Sequence, residues 1–267
     1  MSSDYTLAYG THASPQDGRC AMEWVSYLAG EPHSDQPVCV SPVLRATCIA
    51  LNDGLEHEPR QRLRPYLTRT IGTANDGLDT RRGWMAMDWL TRVYTPAWLA
   101  LAGLSDSAAA LETVGEVSDT DSLRRALDLL ETARRDARTA RARAFGAPLP
   151  TGWATAMAAG MAGREAAWAC AGAAAWAAAR VGIGDIAGDR ARAAARAAAG
   201  DAAAIAVRES RQAARLAGAR SAAQAALEPT LERLADSALA LLDRMLPTEH
   251  LMVPAPAVTG RGAVALT

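Results

Sequence analysis

Apolar side chains recur along this chain at the three- and four-residue spacing of a helix surface. Leu44, Cys48 and Leu51 share one such face, and Met87 and Leu90 belong to another. No run of alternating β-branched residues is long enough to predict a strand. The pattern therefore predicts an all-α protein without a sheet.

Proline and glycine positions predict where the helices begin and end. Ser41-Pro42 is a typical helix start, and Gly54 can end the same helix. Pro65 is expected to bend or break another helix, and Thr95-Pro96 repeats the start signal after a break. The predicted helices cover about residues 20–29, 42–54, 58–71, 81–94, 97–102, 107–113 and 122–145, and a last helix opens at Glu228-Pro229.

A shift in composition after Pro148 and Pro150 divides the chain. Almost half of the residues from 151 to 227 are alanine, the strongest helix former, so this part is also predicted to be helical. Gly200 is expected to break a helix there or to allow close packing. The predicted regions are a flexible N-terminus (1–18), an N-terminal multi-helix domain (19–147), an Ala/Arg-rich region of long helices (151–246) and a disordered tail (247–267).

Charge and composition argue against several classes of partner. The formal net charge is −1, so no overall field attracts nucleic acid or an anionic membrane. The densest basic region, from Arg124 to Arg143, is interleaved with acids, which favours a solvated, ion-paired helix face over a nucleic-acid-binding one. No apolar run is long enough to span a bilayer. Cysteines without CxxC spacing, and no signal peptide, predict reduced thiols and a cytoplasmic location.

Reactive side chains are concentrated in the segment from Cys20 to Gly54. Glu23, Asp35, Cys39 and Asp53 are the candidate catalytic residues, because two helices and a stiff loop could bring these carboxylates and this thiol into one pocket. The alternative at each position is structural. The carboxylates would then bind loop amides, and the thiol would pack as a small apolar group. The mutual distances of the four side chains distinguish the two interpretations.

Metal-ligand spacing is absent from the same segment. Cys20, His33, Cys39 and Cys48 match no standard zinc pattern. The loop carries Gln36 where an EF-hand needs glycine, and no twelfth-position glutamate follows. The Walker, dinucleotide-binding, nucleophile-elbow and HExxH signatures are missing as well. The sequence therefore predicts no metal site and names no cofactor.

Several short strings in this segment occur together: Cys20-Ala-Met-Glu23, Leu28-Ala-Gly-Glu31, Ser34-Asp35, Pro37-Val-Cys39 and Asn52-Asp53. The combination resembles a family of uncharacterised actinobacterial and actinophage proteins. The likeness continues through Trp84–Leu104 and into the closing helix, so it covers most of residues 19–246. It implies a shared fold unit and no particular activity. Gln36 stands where many of those proteins carry histidine, a departure that argues further against a metal there.

Taken together, these patterns favour a cytoplasmic helical interaction or scaffold protein. Small Ala/Gly faces allow helices to approach closely, and a Trp/Met stripe between Trp153 and Trp176 is predicted to be either core or a surface for a protein partner or a second copy of the chain. Neither a membrane nor nucleic acid is expected as a partner. The competing hypothesis is an enzyme or small-ligand binder with a carboxylate/thiol pocket in the Cys20–Gly54 segment.

Overall fold

A computed structural model of the protein describes residues 5–145, 186–216 and 221–247. No strand occurs within these ranges, which confirms the all-α prediction. The helices are α1 (Ala21–Leu28), α2 (Pro42–Gly54), α3 (His57–Arg60), α4 (Arg64–Thr70), α5 (Asp79–Trp89), α6 (Thr95–Leu101), α7 (Ser105–Glu112), α8 (Thr120–Phe145), α9 (Ile186–Leu216) and α10 (Ser221–Met245). A 3₁₀ turn, Gln61–Leu63, joins α3 to α4, and a π-helical turn, Leu90–Tyr94, joins α5 to α6.

Local sequence signals determine the facing ends of α1 and α2. At the start of α2, Ser41 Oγ accepts a hydrogen bond from Leu44 N at 3.3 Å, and proline occupies the first turn, where its missing N–H is not needed. At the end of α1, Gly30 adopts a φ of 72° that favours glycine. The N–H groups of Gly30 and Glu31 then reach back to the carbonyls of Tyr27 and Ser26. The loop between the two helices is therefore anchored at both ends.

Helix α5 continues into α6 through the π turn, without the break predicted at Thr95-Pro96. Pro96 has no N–H to bond to the preceding turn, and the helix widens there. Within the turn, the carbonyl of Leu90 accepts both the N–H of Thr95 and, at 2.7 Å, Thr95 Oγ1. The rings of Tyr94 and Trp98 lie 6.4 Å apart in the core.

Alanine forms the packing surface of α9. The buried alanines are Ala191, Ala194, Ala195, Ala198, Ala199, Ala202, Ala203, Ala204 and Ala206. Helix α9 packs along α8, and such small side chains let two helix axes approach closely. The Ala face that was expected to be available to a partner is thus covered, in the part of the chain that the structure describes, by the protein itself.

Helices α8 and α9 run in the same direction. Arg190 pairs with Glu131 at 2.6 Å, and further along both helices Arg141 pairs with Asp201 at 3.1 Å. The second pair is closer to the C-terminus of both helices than the first, so the two helices are parallel. These ion pairs also belong to the arginine-rich face of α8, which the sequence predicted to be ion-paired.

Two predicted interruptions of the Ala-rich region were wrong. Gly200 lies inside α9, and a Cβ added there would meet no atom within 4 Å, so it neither breaks the helix nor allows a close contact. Helix α10 begins at Ser221 and contains Pro229, which lies eight residues beyond its start rather than opening it. Burial of Leu227 and Leu231 on either side of this proline favours a continuous helix over the local signal. The Trp153–Trp176 stripe, and the predicted tail from residue 248 onwards, lie outside the described ranges.

Candidate functional site

Residues 5–19, here called the N-terminal segment, contact the helices, although the polar composition of residues 1–18 predicted a flexible N-terminus. Leu7 is fully buried, and its N–H donates to Gln61 Oε1 at 2.8 Å. The carbonyl of Ala8 accepts a hydrogen bond from Asn52 Nδ2 at 2.9 Å. The prediction rested on the polar composition of the segment, and these partners are distant in sequence. Distant side chains therefore determine the path of the segment.

Glu23 is the centre of the contacts between the N-terminal segment and α1. Its side chain is fully buried, and its carboxylate accepts three hydrogen bonds, each 2.7 Å long. The donors are the backbone N–H groups of His12 and Cys20 and the ring Nδ1 of His12. The ring of His33 lies 3.8 Å from Glu23, and its Nε2 donates to the carbonyl of His12 at 3.0 Å. The buried carboxylate is thus surrounded by hydrogen-bond donors, as a buried charge requires.

The charge of Glu23 follows from these donors. Burial alone would raise the pKa of its carboxyl group. The hydrogen bonds from His12 N, Cys20 N and the His12 ring outweigh burial and hold the pKa below its ordinary value. Glu23 is therefore an anion at neutral pH, and it acts as an acceptor rather than as a proton donor.

The three candidate carboxylates bind three consecutive residues of the N-terminal segment. Asp53 Oδ1 accepts from Gly10 N at 3.1 Å, and Asp35 Oδ2 accepts from Thr11 Oγ1 at 3.1 Å. Glu23 binds the next residue, His12. No hydrogen bond joins any two of the four candidate side chains. The carboxylates therefore bind one short segment of the chain, residues 10–12, rather than one another.

Cys39 belongs to a different set of contacts. Glu31 accepts hydrogen bonds from Val38 N at 2.7 Å and from Cys39 N at 2.9 Å. The carbonyl of Cys39 accepts the N–H groups of Gly72 and Ala74, both at 3.0 Å. Cys39 therefore holds the loop after α1 against the turn after α4.

The thiols are expected to react slowly because their environments disfavour the thiolate. Burial raises the pKa of Cys20 and of Cys48 to about 12, and burial followed by the nearby Glu31 raises that of Cys39 to about 11. In a Cys170→Ser variant, alkylation by iodoacetamide should be slower at all three cysteines in the native protein than in urea, with Cys39 the fastest of the three. Mass spectrometry measures each rate, and a cysteine that reacts faster when native would reveal an activated thiol.

No group of three or more His, Cys, Asp and Glu side chains is arranged to hold a metal ion in the ranges that the structure describes. Glu23 and His12 show why these residues are not free to bind a metal. Its carboxylate oxygens are already occupied by N–H donors, and the His12 ring is turned towards the carboxylate. A cation would have to compete with these hydrogen bonds.

A second feature of α1 is an aromatic surface around an arginine. The guanidinium carbon of Arg19 lies 4.8 Å from the ring centroid of Trp24 and 4.7 Å from that of Tyr27. These two rings are 5.6 Å apart and almost perpendicular, at 83°, so that the guanidinium group occupies the corner between them. Tyr5 also packs against Trp24, with 4.3 Å between the ring centroids. Arg19, Trp24, Tyr27 and Tyr5 are called the Arg19 surface below.

Sequence reasoning missed both the role of His12 and the Arg19 surface. Glu23 is three residues after the N-cap Cys20, which is the spacing of a capping box, and this signal could have indicated a structural carboxylate. The i, i+3 spacing of Trp24 and Tyr27 indicated a shared helix face. No local pattern predicts that His12 or Arg19 would reach these side chains, because both lie in the irregular N-terminal segment.

Comparison with known proteins finds no match: no family model, no curated protein and no solved structure is significantly similar to the chain. Among the described helices, none is both long enough and apolar enough to cross a membrane.

Acid should remove the stabilisation that Glu23 provides. A carboxyl group with a lowered folded-state pKa stabilises the fold above its ordinary pKa, here 4.5, and this stabilisation is lost as the pH falls through the folded-state value. The difference in unfolding free energy between wild type and Glu23→Gln should therefore be largest near neutral pH and narrow below about pH 4.5. Urea unfolding at a series of pH values measures the difference. If the difference in unfolding free energy stays constant or increases in acid, Glu23 does not stabilise the fold as a buried anion.

Proposed function

We propose that this protein is a cytoplasmic helical interaction or scaffold module and that it contacts its partner through the Arg19 surface. The observation that carries the proposal is the placement of Arg19 between Trp24 and Tyr27, with 58% of Tyr27 exposed. Tryptophan, tyrosine and arginine are the residues most enriched among those that dominate binding energy at protein interfaces. The aromatic contacts hold the arginine in one place before any partner arrives, which lowers the entropy lost on binding.

The remaining features of the chain support the same proposal. The candidate carboxylates are engaged with the N-terminal segment, and the raised thiol pKa values disfavour nucleophilic chemistry. The Ala face of α9 packs inside the protein and leaves the Arg19 surface as the contact region that we favour. The resemblance to actinobacterial and actinophage proteins is part of this proposal and names no partner.

Site-specific photo-crosslinking in the organism of origin tests this function. A photoreactive phenylalanine analogue at Tyr27 should give a discrete adduct of higher mass, whose composition identifies either another protein or a second copy of the chain. The same analogue at Leu129 is a matched control, because Leu129 is also an exposed large apolar residue but lies on α8. Only monomer from Tyr27, or the same adducts from both positions, would contradict an interaction through this surface.

A second candidate function is supported by one observation, the carboxylate–imidazole pair of Glu23 and His12. A carboxylate that orients a histidine is part of many acid–base sites. If His12 is a general base, the protein should hydrolyse an activated ester such as p-nitrophenyl acetate. That activity should disappear in His12→Asn and persist in His57→Asn, since His57 is an exposed histidine beside Glu58. Equal rates in the wild type and both variants would reject this candidate.

A further inference from the structure

We infer that the Arg19 surface binds a carboxylate on an acidic segment of the partner protein. This inference rests on the proposed function and specifies the chemistry of the partner. It is drawn from the environment of one half-buried cation, Arg19, which differs from that of the buried Arg82.

The guanidinium group of Arg19 is held without an anionic partner. Within the part of the chain that the structure describes, no acidic side chain lies within ion-pair distance of it and no acceptor takes a hydrogen bond from it. The acids nearest in sequence are engaged elsewhere, Asp17 with Ser14 Oγ and Glu23 with His12. By contrast, Arg82 pairs with Asp76 at 2.6 Å.

The geometry indicates which atoms of Arg19 remain available. Its contacts with Trp24 and Tyr27 involve the faces of the two rings, whereas all guanidinium N–H donors point outward in the guanidinium plane. Nε is buried and has no hydrogen-bond partner among the described residues, so that a ligand would be bound by the two Nη groups. An end-on pair of N–H donors matches the two oxygens of a carboxylate.

Charge favours an acidic protein segment over nucleic acid. Neutralising a run of phosphates requires several clustered cations, and the whole chain has a formal net charge of −1. The Arg19 surface presents one arginine among aromatic rings. A single carboxylate beside apolar side chains, which can pack on the exposed ring of Tyr27, fits this arrangement.

An NMR titration of the full-length ¹⁵N-labelled protein tests the inference. The probe is a blocked peptide with glutamates on both sides of a leucine, and its counterpart with glutamines is the matched control. The glutamate peptide should shift the indole Nε1–H signal of Trp24 and the Nε–H signal of Arg19, and the glutamine peptide should not. Arg19→Gln should weaken binding by at least about tenfold. Arg19→Lys should weaken it less, because an ammonium group keeps the positive charge but lacks the paired N–H donors that bind both oxygens of a carboxylate.

Arg125→Gln removes an exposed arginine on α8 and should leave the titration unchanged. Equal shifts from both peptides, or no shift from either, would overturn the inference. Inorganic phosphate at the same ionic strength forms a third arm, and tighter binding of phosphate than of the glutamate peptide would overturn it in favour of a phosphate-bearing partner. If the Tyr27 crosslink persists in Arg19→Gln, the interaction function stands and only the role of the carboxylate fails.

Discussion

Replacing Glu23 with alanine is expected to lower the free energy of unfolding by about 3–5 kcal/mol. The carboxylate is fully buried and accepts hydrogen bonds from His12 N, Cys20 N and the His12 ring. The substitution leaves these donors without an acceptor in a site closed to water, and each unsatisfied donor costs about 1–3 kcal/mol. Urea unfolding followed by circular dichroism measures the change.

Glu58→Ala is the matched control for Glu23→Ala. Glu58 also lies next to a histidine ring, with 3.3 Å between His57 Nδ1 and Glu58 Oε1, but 88% of its side chain is exposed. Its removal should change the unfolding free energy by no more than about 0.5 kcal/mol. Similar effects from the two substitutions would mean that the burial of Glu23 has no energetic consequence, and the structural role assigned to it would be wrong.

Replacing Arg82 with alanine is expected to destabilise the protein by a similar amount, about 3–5 kcal/mol, and to loosen α10. Arg82 is buried on α5, and its Nη groups donate to both oxygens of Asp76 at 2.8 and 2.6 Å. Its Nε donates to the carbonyl of Met245 at 3.0 Å, at the end of α10, where a cation is favoured by the helix dipole. Removing the guanidinium leaves the carbonyl of Met245 without this donor and leaves the carboxylate of Asp76 with the N–H of Leu78 but without its buried cation.

Limited proteolysis and urea unfolding measure the effect of Arg82→Ala. Cleavage within α10 should become faster than in the wild type. The matched control is Arg62→Ala, which removes an ion pair to Asp236 of the same helix whose partners are 50% and 65% exposed. This control should change stability by no more than about 1 kcal/mol. An Arg82 variant as stable and as resistant as the control would contradict the role of the buried pair.

Local rules predicted the parts of the fold that depend on neighbouring residues in sequence. Ser41-Pro42 starts α2 at the expected position, and Gly30 ends α1 as expected. The rules were wrong where packing decides. Pro229 lies inside α10, and Thr95-Pro96 produces a π turn instead of a break, because buried contacts on both sides keep the helix continuous.

The candidate site was predicted in part. Glu23, Asp35 and Asp53 all bind residues 10–12. The sequence grouped these carboxylates, but it did not predict that the N-terminal segment would be their partner. Periodicity describes regular elements, whereas the N-terminal segment is irregular and its partners lie on distant parts of the chain. The composition that suggested flexibility does not report on buried acceptors contributed by other elements.

Amide hydrogen exchange at His12 provides the most direct test of whether Glu23 fastens the N-terminal segment to α1. In the wild type the His12 N–H, which is 2.7 Å from Glu23 Oε1, should be protected, and in Glu23→Gln its protection should fall sharply. The N–H of Leu55, bonded to the carbonyl of Leu51 at the end of α2, should keep its protection in both proteins. Unchanged protection of His12 in the variant would show that the segment is held without Glu23.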